Sequence, residues 1–341
     1  MNIQKSNNPK VSIIIPVYKS AAYIDKCVGS LLAQQFSNWE AILIDDGSPD
    51  ECGQICDNLA KKDPRFVVIH QSNQGQAAAR NVGIDVSRGD YIMFLDSDDE
   101  LGDCGTLIKK AVHLLEEVHD IDFLQFAHTW INIDGNETRL FNAFDYSSKQ
   151  EIGQGYLENM ITGVVWDKIY RKSCFDNLRF PTGQVFEDTW LMLELIPRLN
   201  HIVGIDLGEY RYILRNNSTT TGVFIPCKFM DRINTSLKEL ELTRIYDTSD
   251  NSIMQINQYV YLIEIILKYI RNDEYQLNAG QMCRLNNLRP SWLAIRTHRK
   301  SIYRGYLIKI LLTKMLGFST GMNLIRKIAH NLSLIHISEP T

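Results

Sequence analysis

The sequence predicts an α/β fold, with a mostly parallel sheet at the front of the chain and a helical extension behind it. Three observations carry this expectation. Short β-branched runs alternate with helix-length segments from residue 11 onward, acidic or polar turns follow those runs directly, and from Pro226 the pattern becomes helical. Strands alternating with helices at this spacing favour a parallel sheet covered on both faces.

Val11-Ser-Ile-Ile-Ile-Pro-Val17 reads as a buried strand. Pro16 places its end there, because proline cannot donate to a ladder. Ile24, Val28, Leu31 and Leu32 repeat at helical spacing. A second strand over residues 40–45 closes in the turn Asp46-Gly47-Ser48-Pro49. A helix over 51–62, a strand over 66–70, the turn Asn73-Gln-Gly75 and a helix over 76–87 follow. Tyr91-Ile-Met-Phe-Leu95 is a fourth strand and runs straight into Asp96-Ser97-Asp98-Asp99. Residues 107–118 form an amphipathic helix. Residues 121–222 are mixed, with strand-like pieces at 123–126, 201–205 and 209–213.

Of the 341 residues, 45% are apolar and 22% charged, enough for a sizeable core and against global disorder. The net charge of −4 hides an asymmetry: no acid stands between Glu274 and Glu339, while Arg284, Arg289, Arg296, Arg299, Lys300 and Arg304 fall there, with further lysines beyond. A basic tail of this kind points to an anionic partner. The seven cysteines are scattered without a CxxC pair, which reads as reduced thiols in the cytoplasm. Residues 1–10 lack the apolar core of a signal peptide, and no uncharged apolar run reaches the ~20 residues of a membrane span. Leu334-Ile-His-Ile-Ser-Glu-Pro-Thr341 reads as a translated sequencing adapter, so the natural C-terminus is expected to be missing.

In open parallel sheets, ligands bind beyond the carboxyl ends of the strands. Tyr18, Asp45, Asp46, Asn73 and Asp96 to Asp99 all follow predicted strands and so gather at one edge. Carboxylates flanking one residue, as in Asp96-Ser97-Asp98, can clamp a hard divalent cation and a ligand's phosphates. Oxygen-only donors favour Mg²⁺ or Mn²⁺ over Zn²⁺. The same residues read equally as an acidic turn or helix cap, and Leu101 stands where an EF-hand loop needs glycine. Asp46 can accept hydrogen bonds from a base or ribose, or simply start a turn. Arg80 offers a fork to a diphosphate, or is a surface arginine. Glu187-Asp188 ahead of Trp190 offers a general base for an acceptor hydroxyl, or is an acidic helix N-terminus.

Taken together, Ile-Ile-Ile-Pro-Val-Tyr18, Ile-Asp-Asp-Gly-Ser48, Asn73-Gln-Gly with Ala-Arg-Asn81, Phe-Leu-Asp-Ser-Asp-Asp99 and Phe-Glu-Asp188 resemble the inverting family 2 glycosyltransferases of the GT-A fold. The resemblance covers roughly residues 9–222 and is similar especially to bacterial enzymes of capsule, exopolysaccharide, teichoic acid and lipopolysaccharide synthesis. In those, segments like Trp166–Tyr170 and Tyr210–Thr219 flank the Glu-Asp pair. It implies a catalytic domain over 1–222, with a nucleotide-sugar-binding half at 9–105 and an acceptor half at 106–222, followed by a helical region at 223–333. It implies that Pro16, Val17 and Tyr18 line the nucleotide pocket, that Asp46 contacts the base, and that Asn73, Arg80, Asp96 and Ser97 hold the donor. Asp98, with Asp96, would be the metal ligand, Asp188 the base, and Glu187 an orienting carboxylate.

The implied reaction takes a sugar from a nucleotide diphosphate, most often UDP, to a hydroxyl of a glycan or lipid-linked glycan, with Mn²⁺ or Mg²⁺ as cofactor. The basic helices are expected to rest on the anionic inner face of the plasma membrane or to form a solvated cap. No nucleic-acid module accompanies the charge. Two rivals stay open. A sugar-nucleotide nucleotidyltransferase would need a glycine-rich phosphate loop where Pro16-Val-Tyr-Lys-Ser20 stands. A non-catalytic nucleotide-sugar-binding protein would not need Glu187 and Asp188. A dehydrogenase is disfavoured because no GxGxxG follows the first strand.

Overall fold

The computed structural model describes residues 8–102, 105–215, 226–246, 253–269, 277–300, 302 and 304–331. The adapter-like tail and the Asn-Ser-Thr segment at 217–219 lie outside them. The chain divides into two compact units, Met1–Val223 and Phe224–Thr341.

The first unit opens with β1 (Val11–Val17), α1 (Ile24–Leu32), β2 (Trp39–Asp46), α2 (Cys52–Lys62), β3 (Phe66–Gln71), α3 (Gln76–Val86) and β4 (Tyr91–Phe94). Every residue of β1 and β2 is buried. Val11, Ile13, Ile15 and Val17 enter one core with Ile24, Cys27, Val28 and Leu31 of α1, while Ile14 faces Gly83 of α3 on the other side. Burial on both faces explains why β1 is an unbroken apolar run rather than an alternating one. Pro16 sits inside β1, opposite Ile44 of β2. The carbonyl of Ile14 accepts from Leu95 just past β4. Pro16, two residues on, therefore points its missing donor to the side that β4 has already left.

The chain continues through β5 (Glu100–Leu101), α4 (Leu107–Glu117), β6 (Phe123–Ile131), β7 (Glu137–Leu140), β8 (Phe144–Tyr146), α5 (Lys149–Leu157), β9 (Lys168–Arg171), α6 (Glu187–Leu195) and β10 (Ile202–Ile213). The sheet order is β3-β2-β1-β4-β9-β6-β10-β5, with β7 on β6 and β8 on β10. Pairing is parallel from β3 through β4 and again between β6 and β10. It is antiparallel where β9 is inserted and at β5, β7 and β8. The result is the mixed α/β, mostly parallel sheet the sequence predicts. The strand-like pieces at 201–205 and 209–213 are one strand with a register shift between Gly204 and Glu209. A Cβ on Gly204 would come within 2.4 Å of the Asn142 carbonyl. Strands β7 and β9 carry little apolar signal: all of β7 is exposed, and β9 opens with the fully buried Lys168.

The second unit is helical: α7 (Pro226–Tyr246), α8 (Ile253–Tyr269), α9 (Ala279–Asn287), α10 (Trp292–Thr297), α11 (Arg304–Leu316) and α12 (Phe318–Asn331). They surround a core that includes Ile233, Leu237, Tyr259, Ile263, Ile310 and Phe318. Among the described residues, no helix is long and apolar enough to cross a membrane.

Helix α3 lies on the sheet because Gly83 permits it: a Cβ there would stand 2.4 Å from Ile14 Cγ2. Gly83→Ala gains up to ~1 kcal/mol of helix propensity, against ~1–3 kcal/mol of overpacking. We expect a net loss of stability of about 1 kcal/mol, read as a lower urea midpoint at unchanged slope.

Candidate active site

The site is built at the carboxyl ends of β2 and β4 and the start of α6. Asp46 ends β2 and is 2% exposed. Its Oδ1 accepts from Gln71 Nε2 (2.7 Å) and the Gln74 amide (2.9 Å), and its Oδ2 from the Gly75 amide (2.8 Å). The carboxylate therefore shapes the turn that starts α3, and both its oxygens are engaged. Gly47 (φ +64) completes this corner, because a Cβ on it would sit 2.8 Å from the Asn73 amide nitrogen. Asn73 is exposed on the same turn. Of Pro16, Val17 and Tyr18 at the end of β1 and just past it, Val17 is wholly buried in the core and Pro16 is buried. Tyr18, 44% exposed, is the one that presents its side chain. The Lys19 amide donates to Ser48 Oγ (2.8 Å), joining the loop after β1 to the Asp46 turn.

Helix α3 carries the link between the two acidic segments. From its first turn, Gln76 Nε2 donates to Asp96 Oδ1 (2.9 Å). One turn on, Arg80 is 2% exposed. Its Nη2 donates to Asp96 Oδ1 (2.8 Å) and its Nη1 to Glu187 Oε1 (3.0 Å). Burial opposes the Arg80 charge, but Asp96, Glu187 and Asp188 together hold its pKa above the ordinary arginine value. The sequence offered Arg80 as a diphosphate fork. In the fold, both of its terminal nitrogens clamp protein carboxylates, and only its buried Nε lacks a hydrogen-bond partner. Asn81 fixes the approach to α6, with Nδ2 donating to the Phe180 carbonyl and Oδ1 accepting from the Phe180 amide, both at 2.8 Å.

The turn after β4 is pinned from beneath. Tyr210 Oη of β10 donates to Asp99 Oδ2 (2.8 Å) and accepts from the Asp96 amide (3.1 Å). Asp99 Oδ1 accepts from the Ile213 amide (2.9 Å). Asp99 is thus a buried anchor, 1% exposed, while Asp98 keeps 43% of its side chain exposed. Ser97 Oγ donates to Ser20 Oγ (2.8 Å), closing the turn against the loop after β1. Arg215 was not singled out from the sequence. It ion-pairs with Asp98 Oδ2, donates to the Asp98 carbonyl and lies 3.6 Å from the Tyr23 ring centre. With Lys26, Glu100 and Ile213 these residues line a cleft.

Glu187 and Asp188 form the first turn of α6, immediately after Phe186 in the left-handed region (φ 63). Strained backbone of this kind concentrates at functional sites. The pair is an acidic helix start, and its Glu187 is held by Arg80. Burial pushes both carboxyls above their ordinary range and Arg80 pulls both the other way. Behind them, the fully buried Lys168 Nζ donates to the Thr162 and Val164 carbonyls (3.1 and 2.7 Å) and to Asp167 Oδ1 (2.6 Å). Trp166, 4% exposed, stacks on Tyr210 and Tyr212 in the core.

The donor set around Asp96 and Asp98 is all oxygen, which suits a hard divalent cation. Among the described residues, no group of three or more His, Cys, Asp or Glu could hold a metal ion. A cation here would therefore rely on ligand phosphates to complete its shell, as Mg²⁺ sites commonly do.

The glycosyl transferase family 2 model matches residues 12–179. Glycosyltransferase GlyG of Streptococcus pneumoniae serotype 4 is 31% identical over 218 residues, 61% of this chain and 72% of GlyG. The GalNAc(5)-diNAcBac-PP-undecaprenol beta-1,3-glucosyltransferase of Campylobacter jejuni is 29% identical over 219 residues, 63% of this chain and 68% of that protein. Several other curated relatives are matched over 31%, 51% and 63% of their own length. Among solved structures, S. aureus TarS 1–349 in complex with UDP-GlcNAc superposes with a TM-score of 0.63 at 17% identity, over 94% of this chain and 92% of that one. The fold is thus GT-A-like, and the chain belongs to glycosyl transferase family 2.

Two predictions follow from the clamp. Arg80→Gln leaves two largely buried carboxylates without their cation, and breaking such a pair costs about 3–5 kcal/mol. We expect a loss near the low end by chemical denaturation. Arg80→Lys should recover only part of it, because an ammonium cannot fork to both acids. Asp188 has its native pKa raised, so the folded state holds its proton more tightly than the unfolded state and ionisation above that pKa costs stability. Asp188→Asn should therefore raise the melting temperature at neutral pH. The gain should shrink as the pH falls from the raised value towards the ordinary aspartate value of about 3.9.

Proposed function

We propose that the chain transfers a sugar, with inversion, from a nucleotide-diphosphate donor to a hydroxyl of a glycan or lipid-linked glycan in cell-surface polysaccharide synthesis. One observation carries this reading. Arg80 joins Asp96 and Glu187, so the acids after β4 and those opening α6, ninety-one positions apart in the chain, belong to one charged cluster. Asp46 joins it through the amides that start α3, and α3 returns to Asp96 through Gln76.

A UDP-sugar is the proposed donor, in keeping with the UDP-GlcNAc bound by the TarS fold relative. A diphosphate-linked lipid acceptor accords with the name of the Campylobacter relative. Asp98, with Asp96, would hold the Mn²⁺ or Mg²⁺ ion, which when bound would neutralise charge on the departing diphosphate. The exposed Tyr18 and Asn73 would face the nucleoside, with Asp46 setting their positions through the turn it holds. Pro16, Val17 and Ser97 would serve as the packed floor beneath. Asp188 would take the proton of the acceptor hydroxyl. Its raised pKa brings it closer to neutrality, where a positioned base is worth ~10²–10⁴-fold. Glu187, held by Arg80, would keep Asp188 and the acceptor in register. A single displacement inverts the anomeric centre and needs no second carboxyl acid of the glycosidase kind. The anionic inner face of the plasma membrane is the proposed partner of the basic C-terminal helices.

Release of UDP from a panel of UDP-sugars, with Mn²⁺, with Mg²⁺ and with excess chelator, tests this directly. We expect turnover with a cation, loss on chelation, and at least a hundredfold fall in Asp188→Asn with donor binding retained. Wild-type turnover in that variant removes Asp188 from the role of base. Donor binding without release from any sugar nucleotide instead supports the non-catalytic reading.

A further inference from the structure

We propose that the second unit carries a defined membrane-docking face, made by the start of α10 and the end of α11, for a surface of anionic phospholipid. This deepens the membrane partner proposed above and is independent of the transfer chemistry. The two helix ends are locked together. Arg289 Nη1 donates to the Thr313 and Lys314 carbonyls (3.2 and 3.1 Å), and Lys314 Nζ donates to the Pro290 carbonyl. The same Lys314 Nζ lies 5.3 Å from the Trp292 ring centre. Trp292 and Leu293 on one side, and Met315 and Leu316 on the other, are therefore neighbours on a fixed scaffold.

All four are left in the open: Trp292 is 55% exposed, Leu293 51%, Met315 70% and Leu316 43%. Ile308, 57% exposed, extends the stripe two turns back along α11. Scattered apolar residues on a surface are ordinary, but a cluster held together by charged side chains marks a binding face.

Charge complementarity selects the occupant. Arg296, Arg299 and Lys300 are exposed on and just after α10, and the sequence has no acid between Glu274 and Glu339. Exposed apolar side chains that include a tryptophan, on helices that also carry exposed basic side chains, match an anionic lipid interface. There the indole sits at headgroup depth and the cations meet phosphate. A second copy of the chain would set the same basic side chains against itself, which like-charge repulsion disfavours.

The full chain should sediment with vesicles of phosphatidylcholine and phosphatidylglycerol at low salt, and far less with phosphatidylcholine alone. Its tryptophan emission should move to the blue on binding, and Trp292→Tyr should abolish most of that shift. Trp292→Ser, Met315→Ser and Leu316→Ser combined change only exposed positions. An unchanged melting temperature would show that the fold is intact, and vesicle binding should fall at least tenfold. Arg296→Gln, Arg299→Gln and Lys300→Gln combined should weaken binding about a hundredfold at low salt, at roughly fivefold per charge. If the wild type binds no vesicle, the face and the membrane partner both fall. If it binds and the serine variant binds equally well, the face falls while the basic tail keeps its partner. Concentration-dependent dimers that the serine variant dissolves, without vesicle binding, would assign the face to a second copy and overturn the proposal.

Discussion

The first unit depends on one buried guanidinium. Arg80 reaches from α3 to Asp96 on one side and Glu187 on the other, and it is almost wholly removed from water. Acids concentrated at one sheet edge repel one another, and burial raises the cost of ionising them. A cation between them offsets both effects and also fixes distance. Arginine suits this position because its planar fork can serve two carboxylates at once. The same bond that makes the cluster tolerable sets where the start of α6 stands relative to the turn after β4.

The rest of the first unit presents that clamp with little freedom. Parallel strands bring β1, β2 and β4 to one edge, and side-chain bonds then tie their loops together: Ser48 to Lys19, Ser97 to Ser20, and Asp46 to the amides that open α3. From the far side, Tyr210 holds Asp99 and the Asp96 amide, so β10 supports the acidic turn from beneath. Asp98 is then the member of the turn left most available to a ligand, with Arg215 across from it. A site whose outer groups are held by packed inner ones has the preorganisation that electrostatic catalysis requires.

Much of this was legible in the residues. The strands β1 to β4 and their helices announce themselves because β1, β2 and β4 are buried throughout and the turns after β2, β3 and β4 carry Gly, Pro, Asn or Asp. The acids at the strand ends follow from the same pattern. The later half was harder to read for physical reasons. Strand β9 begins with a buried lysine neutralised by Asp167, and β7 shows no apolar face. The register shift in β10 starts at a glycine whose need arises only from the approach of Asn142 and Phe144. The sequence offers Arg80 but not its partners, since Glu187 is remote in sequence and nothing local predicts the contact. Arg215 lies inside the Tyr210–Thr219 segment that the resemblance marks, but an arginine after a strand looks like any surface cation until Asp98 lies opposite it.

What the sequence determined by itself is local: where strands and helices lie, which turns carry carboxylates, that the front is α/β and the tail helical and basic, and which family the pattern resembles. Those features depend on periodicity and turn chemistry, which act over a few residues. The tertiary structure alone decided which acids face one another, that Asp46 and Asp99 are anchors while Asp98 is open, that Arg80 is a clamp, and that Trp292 and Met315 share an exposed face. Each of these depends on which distant residue arrives within hydrogen-bonding or packing range, and so on how the sheet and helices pack together.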